Sequence, residues 1–460
     1  MSNTHRTPLD ITQIEENFSD INPPLTAAEA LHEANRCLYC YDAPCMHACP
    51  THIDVPSFIK KIASGNLRGS ARVIYDANPI GATCARVCPV EVLCEGACVE
   101  KTLLRKPIEI GRLQRYATDN GTDRGQQIFA KGEPNGRSVA IVGSGPAGIS
   151  CSVYLARLGY AVTVYERRPL PGGLDTYGMA EYKMPQRVSL DEVQQAQGLG
   201  VKFLVNIEVT GSPESTELEA AKGDAARRIS FDEIIAGNDA VFLAVGLGAT
   251  NRLNIPGEHL EGVYDALHFI ERIKSRDWAS VPLGKQIAVI GAGNTAIDAV
   301  TQAKRLGADR VTLVYRRSER DAPAYDYELE IAKKDGVEFV WNAAPIGLIS
   351  GDNGRVASLR CERTGESNDL FEIPCDMVIK AIGQQKQAGY FDAIGVEFDG
   401  RGRVAVNELM QTSNPKIFAG GDCVNGGGEA VEAAQMGKLA AQGIHFSLTG
   451  DAVRFAGVRD

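Results

Sequence analysis

The sequence predicts an α plus α/β chain, in which a small helical domain precedes two Rossmann-like dinucleotide-binding domains. Two observations support this prediction. Eight of the twelve cysteines fall in the first hundred residues, and a glycine-rich loop between a strand and a helix occurs twice later in the chain. We expect a helical domain over 1–120, a linker over 121–136, one dinucleotide-binding domain over 137–280 and 384–460, and a second one, 281–383, inserted in the first.

Length and composition set the protein class. A chain of 460 residues is too long for one core, and 44% hydrophobic with 23% charged residues is ordinary for a globular protein. The net charge of -10 disfavours nucleic acid as a partner. No run approaches 18 apolar residues, and the polar N-terminus has no signal-peptide pattern. We therefore expect a cytoplasmic protein that does not enter a membrane.

The cysteines form two runs with short spacings. The first, RCLYCYDAPCMHACP, contains Cys37, Cys40, Cys45 and Cys49, and the second, TCARVCPVEVLCEGAC, contains Cys84, Cys88, Cys94 and Cys98. Closely spaced thiolates on turns are typical of iron–sulfur ligands, and the proline after Cys49 and Cys88 is a feature of neighbouring clusters. The spacing favours two [4Fe–4S] clusters.

Structural zinc and disulfides are the alternatives. Zinc sites usually show paired two-residue spacings, which here only Cys37 and Cys40 match. Disulfides require an oxidising compartment, for which the sequence provides no indication.

Local patterns predict the helices around the cysteines. Residues 1–24 are expected to be a flexible arm. Thr26 and Glu29 form a capping-box pattern that begins a helix over about 26–36. VPSFIKKI has a helical pattern with Pro56 in the first turn, and further helices are expected over about 66–77 and 108–118.

The first dinucleotide fingerprint follows the linker. The buried strand SVAIV, 138–142, is followed by a G-x-G-x-x-G loop, a helix, and a second strand that ends at Glu166. Gly143 is expected to make the tight turn, Gly145 to let the backbone approach a pyrophosphate, and Gly148 to let the helix pack against the strand. Glu166 is placed to accept hydrogen bonds from ribose hydroxyls. This site suits FAD or NAD.

The C-terminal segment completes the flavin site. In 417–444 a strand leads to Gly421 and Asp422, a glycine-rich turn and a helix, so that Asp422 can hold a ribityl hydroxyl and the helix N-terminus can face the flavin. A plain strand–turn–helix connection is the alternative. The residues expected to contact FAD are Gly143, Ser144, Gly145, Pro146, Ala147, Gly148, Glu166, Arg167, Gly173, Gly246, Gly421, Asp422, Glu429, Ala430 and Val431.

The second fingerprint lies at QIAVIGAGNTA, 286–296, where Ala296 replaces the third glycine. After the next strand, Arg316 and Arg317 replace the acid, and guanidinium groups there favour NADPH because they bind a 2′-phosphate. A solvated charge pair is the alternative interpretation. The residues expected to bind NAD(P)H are Gly291, Ala292, Gly293, Asn294, Thr295, Arg316, Arg317, Arg320, Ala381 and Gly383.

Two dinucleotide-binding domains, in which the C-terminal Gly421–Asp422 segment (the GD segment) returns to the first domain, resemble the flavoprotein disulfide reductases. The cysteine domain resembles that of the glutamate synthase small subunit group, and within it the N-terminal half of dihydropyrimidine dehydrogenases and their bacterial electron-input subunits. The similarity spans almost the whole chain, and the stretches that carry it are CLYCYDAPCMHACPTHIDVPSFIKKI, NPIGATCARVCPVEVLCEGAC and IEIGRLQRY.

The resemblance implies a different ligand set from spacing alone, which suggests eight cysteine ligands. One cluster would be held by Cys37, Cys40, Cys45 and Cys98. The other would be held by Cys49, Cys88, Cys94 and Gln114, with Cys84 left as a buried thiol. A polar-face glutamine in an amphipathic helix is the alternative for Gln114.

The resemblance also implies a function. Hydride would pass from NAD(P)H to FAD, and single electrons would pass through the two clusters to a separate subunit that holds FMN and reduces pyrimidines, so a hetero-oligomer is expected. The chemistry is that of the cofactors, and no catalytic acid or base is expected in this chain.

Other functions use similar parts. A glutamate synthase small subunit, or a bifurcating or ferredoxin:NADP-type transhydrogenase subunit, would differ in electron acceptor. A thioredoxin-reductase-like enzyme would need a redox C-x-x-C near a nucleotide domain, and this motif occurs only in the N-terminal run. A non-enzymatic docking module is disfavoured because both loops keep their glycines.

Overall fold

The computed structural model describes residues 9–121, 126–211, 227–365 and 369–457, which form two compact units. The smaller unit comprises the described residues up to Ile21 together with Tyr177–Pro185 and Gly248–Gln385. The larger unit comprises Asn22–Thr176, Gln186–Leu247 and the described residues from Lys386 onward. The cysteine runs and the first fingerprint therefore belong to the same unit.

Short helices surround the cysteines. Thr26 and Glu29 form the predicted capping box, in which the Glu29 carboxylate accepts a hydrogen bond of 2.8 Å from the backbone N–H of Thr26. The apolar residues of VPSFIKKI are buried in the core of this region, as their helical spacing predicts. The N-terminal helices are α1 (Ile11–Asn17), α2 (Ala27–Asn35), α3 (Pro44–His47), α4 (Val55–Ala63), α5 (Leu67–Ala77), α6 (Gly81–Val87), α7 (Val99–Leu103) and α8 (Ile110–Asn120).

The flexible arm expected over 1–24 is wrong for the described part of this segment. Helix α1 is capped by Asp10, and its Ile14, together with Phe18, is buried in the core of the smaller unit. The Asn17 amide donates a hydrogen bond of 2.8 Å to the Arg305 carbonyl. Partners almost three hundred residues away in sequence stabilise this helix, which explains why a local pattern did not reveal it.

The larger unit contains a five-stranded parallel sheet, in the order β15 (Ile417–Ala419), β6 (Ala240–Leu243), β1 (Ser138–Val142), β2 (Ala161–Tyr165) and β3 (Lys202–Leu204). The predicted strands at 138–142 and 161–165 are confirmed. The elements from the first fingerprint to β6 are β1 (Ser138–Val142), α9 (Pro146–Arg157), β2 (Ala161–Tyr165), α10 (Leu174–Tyr177), α11 (Gln186–Gly198), β3 (Lys202–Leu204), β4 (Ile207–Thr210), β5 (Arg227–Ser230), α12 (Phe231–Ala236) and β6 (Ala240–Leu243).

The smaller unit contains a second five-stranded parallel sheet, in the order β10–β9–β8–β14–β7, and an antiparallel sheet, β11–β12–β13. Its elements are β7 (Val263–Asp265), α13 (Ala266–Lys274), β8 (Gln286–Ile290), α14 (Asn294–Arg305), β9 (Arg310–Val314), α15 (Asp326–Lys334), β10 (Glu338–Val340), β11 (Ala343–Ser350), β12 (Val356–Arg363), β13 (Leu370–Pro374) and β14 (Met377–Lys380). This segment of the unit begins at Gly248, ahead of the 280/281 boundary expected from the sequence, and it includes β7, which pairs with β14.

The chain then returns to the larger unit. Its last elements are α16 (Ala388–Ala393), β15 (Ile417–Ala419), α17 (Asp422–Asn425) and α18 (Ala430–Thr449). In a parallel sheet the carboxyl ends of all strands meet at one edge, where ligands bind. The loops after β15, β6, β1 and β2 therefore lie side by side at one edge. Among the described residues, no helix has the length and apolar character needed to span a bilayer.

Candidate functional site

Four cysteines line one cavity in the larger unit. The cavity has a volume of about 360 Å³, part of which is open to solvent, and its other walls are mainly apolar. Cys37 follows α2, Cys45 lies in α3, and Cys98 caps α7 and accepts a hydrogen bond of 3.5 Å from the N–H of Ile108. The cavity cysteines are Cys37, Cys40, Cys45 and Cys98, the set that the family resemblance implied for one cluster.

The electrostatics of this cavity suit a cationic inorganic core. Burial, together with repulsion from the neighbouring thiols, raises the pKa of the Cys45 thiol to about 12. Burial also raises the pKa of Cys37. Bound iron deprotonates its thiol ligands, so iron in the cavity would supply the positive charge that the thiolates require. The donor set therefore fits an iron–sulfur cluster.

A second group of thiols lies beside the core of the flavin fold. Cys49 acts electrostatically on both Cys88 and Cys94, which places the three thiols near one another. A hydrogen bond with Cys84 and burial raise the pKa of Cys88, and burial raises that of Cys94. Cys88 packs against the core cluster that includes Ile80, Cys84 and the β1 residues Val139 and Ile141.

Gln114 lies on α8 and is buried, with 7% of its surface exposed. Its amide nitrogen donates a hydrogen bond of 2.7 Å to the Gly81 carbonyl on α6. Because this bond occupies the nitrogen, the amide oxygen is the atom available to a metal. Cys84 is 3% exposed, and its sulfur accepts a hydrogen bond of 3.1 Å from the buried Asn78 amide. Cys84 is therefore a buried thiol, as expected.

The first fingerprint has the geometry that a pyrophosphate requires. Gly143 has a φ of +98°, and a Cβ there would lie 2.3 Å from the Ala244 carbonyl oxygen. A Cβ on Gly148 would lie 2.2 Å from the Gly143 carbonyl oxygen, whereas one on Gly145 would meet no atom within 4 Å. Open space at Gly145 leaves room for a ligand against the backbone, at the N-terminus of α9.

The other predicted flavin residues lie at the same sheet edge. The Glu166 carboxylate, at the end of β2, accepts hydrogen bonds from the N–H and hydroxyl of Ser144, at 3.2 and 2.5 Å, and so lies against the fingerprint loop. Gly173 packs on Gly145, because a Cβ on Gly173 would lie 2.7 Å from the Gly145 Cα. Pro146, Ala147 and Gly148 form the first turn of α9, Gly246 follows β6, and Arg167 is exposed after β2.

Asp422 follows β15, the strand next to β6 in the sheet order. Burial raises the pKa of its carboxyl, which accepts a hydrogen bond of 3.2 Å from the Gly428 N–H. Gly421 has a φ of +77°, and Glu429 caps α18, whose first turn contains Ala430 and Val431. The GD segment therefore lies where the sequence places it, beside the first fingerprint loop.

The second fingerprint loop has the same construction in the smaller unit. Gly291 has a φ of +127°, and a Cβ there would lie 2.2 Å from the Ala381 carbonyl oxygen. Gly293 caps α14 and faces open space. Ala292, Asn294 and Thr295 complete the loop, and Ala381 and Gly383 follow β14, the neighbour of β8. These predicted residues are brought together at one sheet edge.

Arg316, Arg317 and Arg320 are exposed just beyond β9, the other neighbour of β8. Within the described part of the chain, the guanidinium groups form no hydrogen bond or ion pair. The Arg317 charge contributes to the lowered pKa of Asp321, after the hydrogen bonds from Ser318. All three cations are therefore available to a phosphate.

Sequence reasoning missed a buried lysine. Lys438 is fully buried, and its ammonium donates hydrogen bonds of 3.0 Å to the carbonyls of Thr51 and Ala456. The sequence contains one sign of this buried lysine. Lys438 lies one turn after Ala434 on the apolar face of α18, where a lysine is unusual. Its partners, hundreds of residues earlier and at the C-terminus, were not readable locally.

Comparisons with known proteins identify the families to which this chain is related. Residues 137–437 match the model of the pyridine nucleotide-disulphide oxidoreductase family, and residues 14–126 match dihydropyrimidine dehydrogenase domain II, 4Fe-4S cluster. The glutamate synthase [NADPH] small chain of Escherichia coli K12 is 34% identical, with 95% of each chain covered. The NAD-dependent dihydropyrimidine dehydrogenase subunit PreT of Salmonella typhimurium is also 34% identical, with 94% of this chain and 98% of the relative covered.

Solved structures agree with the fold. Thioredoxin reductase of Lactococcus lactis superposes with a TM-score of 0.53 at 23% identity, over 68% of this chain and 99% of the other. FprA of Mycobacterium tuberculosis, solved with NADPH, gives 0.54 at 20% identity, over 69% of this chain and 85% of the other. At these identities the similarity concerns the fold alone.

Proposed function

We propose the following function for this chain, which belongs to the pyridine nucleotide-disulphide oxidoreductase family: it is the electron-input subunit of a dihydropyrimidine dehydrogenase. It is an NAD(P)H-dependent oxidoreductase whose family models imply FAD, NAD(P)H and iron–sulfur clusters. In the proposed role it supplies electrons to a partner subunit that holds FMN and reduces uracil or thymine to the 5,6-dihydropyrimidine.

One observation carries the proposal. The cysteine region and the flavin fold share a core in the larger unit, in which Ile80 and Cys84 are buried with Val139 and Ile141 of β1. The partly buried Cys88 packs against this core. A thiol ligand packed against a core that the cysteine region shares with the flavin fold supports direct electron exchange between the two sites.

The residues of the chain bind and orient the cofactors. We assign the first fingerprint, Glu166 and the GD segment to FAD, and the second fingerprint and its arginines to NAD(P)H. Cys37, Cys40, Cys45 and Cys98 would hold one cluster, and Cys49, Cys88, Cys94 and Gln114 the other. When bound, FAD would accept a hydride, and the clusters would deliver single electrons.

Exposed apolar side chains lie close in sequence to the cysteines of the four-cysteine cavity, and we place the exit of electrons to the partner at this surface. Leu38 lines the cavity and is 51% exposed, and Tyr41, one residue after Cys40, is fully exposed. Leu103 and Leu104, five and six residues after Cys98, are 62% and 67% exposed. Apolar surface of this kind is typical of an interface with another protein.

Co-purification tests the proposed role. The tagged chain is expressed in its native host and isolated anaerobically, and the proposal expects a partner that contains FMN and a complex that oxidises NAD(P)H when uracil or thymine is added. The variant Leu103→Ser/Leu104→Ser should retain iron and flavin and lose the partner. A complex without uracil- or thymine-dependent oxidation would contradict the proposal.

A glutamate synthase small subunit is the second candidate. It is favoured by the exposed Arg316, Arg317 and Arg320, because the relative whose name includes NADPH is the glutamate synthase chain, whereas PreT is named NAD-dependent. The same purification distinguishes the two candidates, since in this case the co-purified subunit would form glutamate. A ferredoxin:NADP-type transhydrogenase subunit would instead reduce ferredoxin.

A further inference from the structure

Lys438 has no carboxylate partner in the described part of the chain, although it is fully buried. Its ammonium donates to two backbone carbonyls, Thr51 and Ala456, and lies 5.9 Å from the centre of the Tyr154 ring. A buried ammonium is costly without a counter-charge. Burial lowers the pKa of Lys438 to about 7, against the opposite effects of the Cys49 and Asp76 charges, and Asp76 is itself paired with Arg157 at 2.6 Å.

The position of Lys438 connects two cofactor sites. Thr51 lies two residues after Cys49, and the Cys49 sulfur lies 3.4 Å from the Thr51 hydroxyl. Along α18, Lys438 follows Ala430 by eight residues, or about 12 Å at 1.5 Å per residue. The first turn of α18 belongs to the proposed flavin site, so the ammonium lies between that turn and the cysteine loop.

The packing of α18 fixes this position. A Cβ on Gly437 would lie 2.2 Å from the Ala147 carbonyl oxygen, so the glycine lets α18 approach α9 closely. The Ser150 hydroxyl of α9 donates a hydrogen bond of 2.6 Å to the Ala434 carbonyl. At the other side, a Cβ on Gly457 would lie 2.2 Å from the Thr51 carbonyl oxygen. The ammonium is therefore held between the flavin-fold helices, the cysteine loop and the C-terminal segment.

We propose that Lys438 is a positioning residue that raises the reduction potential of the cluster held by Cys49, Cys88, Cys94 and Gln114. The proposal rests on the cluster assignment of the proposed function. A one-electron reduction adds one negative charge to the cluster, and below a pH of about 7 Lys438 is an ammonium whose positive charge stabilises that charge. The electron originates in the hydride of NAD(P)H. The cluster in turn supplies the counter-charge that Lys438 lacks.

The test compares Lys438→Met, which removes charge and donor, with Lys438→Gln, which keeps a donor and removes the charge. Full-length protein is purified anaerobically, and the potential of each cluster is determined by redox titration followed by electron paramagnetic resonance. At a poise that half-reduces this cluster in the wild type, both variants should lower the ratio of reduced to oxidised cluster about tenfold, which corresponds to about 59 mV for one electron. The signal of the four-cysteine cluster should stay unchanged.

Lys274→Met is the matched control. Lys274 is 2% exposed and donates a hydrogen bond of 2.6 Å to the Met184 carbonyl, but it belongs to the smaller unit, with Glu181 as its ion-pair partner at 3.4 Å. Its substitution also removes a buried lysine and should leave both potentials unchanged.

Three results would overturn the proposal: an unchanged potential in both Lys438 variants with iron and flavin retained, recovery of the wild-type potential in Lys438→Gln alone, or loss of iron from both variants but not from Lys274→Met. The last result would make Lys438 a residue of cluster assembly. Absence of clusters from the wild-type protein would instead contradict the proposed function itself.

Discussion

At the scale of single residues, Gln114 and Cys84 distinguish two ligand sets for the second cluster. The resemblance favours Gln114 as the ligand, and its amide nitrogen donates a hydrogen bond to the Gly81 carbonyl. Cys84 is buried, and its sulfur accepts a hydrogen bond from Asn78. Gln114→Leu should therefore lose or perturb one cluster while NAD(P)H still bleaches the flavin absorbance, and Cys84→Ser should leave both clusters intact. Iron content and the paramagnetic signals measure this. The reverse pattern would restore the eight-cysteine set that spacing alone suggests.

The exposed arginines after β9 give a second prediction at this scale. Replacing Arg316 and Arg317 by alanine should weaken NADPH far more than NADH, because only NADPH carries the 2′-phosphate. One charge-assisted contact contributes about 1.5–3 kcal/mol, so kcat/KM with NADPH should fall about ten- to a hundredfold. Steady-state reduction of an artificial acceptor measures both nucleotides in the same preparation. Equal losses for NADPH and NADH would show that the arginines do not recognise the phosphate.

At the scale of elements, the contact between α11 and α6 is sensitive to pH. The Glu192 carboxylate on α11 accepts hydrogen bonds from the N–H groups of Ala82 and Thr83, at 2.7 and 3.1 Å, and from the Thr83 hydroxyl. Burial raises the pKa of Glu192 to about 7 although these donors favour the ionised form. The folded state therefore holds a proton that the unfolded state releases above a pH of about 4.5.

Because the folded-state pKa is raised, this group makes the protein less stable as pH rises from about 4.5 to 7, and the effect is constant above 7. In Glu192→Gln the side chain keeps the shape of glutamate, but its amide group does not titrate. The variant should gain stability relative to the wild type across this window, by about 3 kcal/mol at pH 8. Thermal unfolding midpoints from pH 4.5 to 8 measure it, and a difference that does not vary with pH would contradict the assignment.

Most elements could be predicted because their information is local. The strands before both fingerprints, the capping box of α2 and the glycine positions follow from patterns of about ten residues. Helix α1 could not be predicted in this way, since Ile14 and Phe18 are buried by residues remote in sequence. The same reason hid Lys438 and Glu192, whose partners Thr51 and Thr83 lie far from them in the chain. The ligand sets needed the family resemblance, because spacing does not show which thiols share a cavity.

At the scale of the whole molecule, the sites together define the cofactor content. One flavin fingerprint with its GD segment predicts about one FAD per chain, and two ligand sets predict about eight iron atoms per chain. Anaerobically purified protein should therefore show a flavin spectrum over a broad iron–sulfur absorbance. Iron, zinc and flavin are measured on the same sample. Iron near four atoms with zinc present would contradict the two-cluster assignment, because one of the two thiol groups would then hold a zinc ion in place of a cluster.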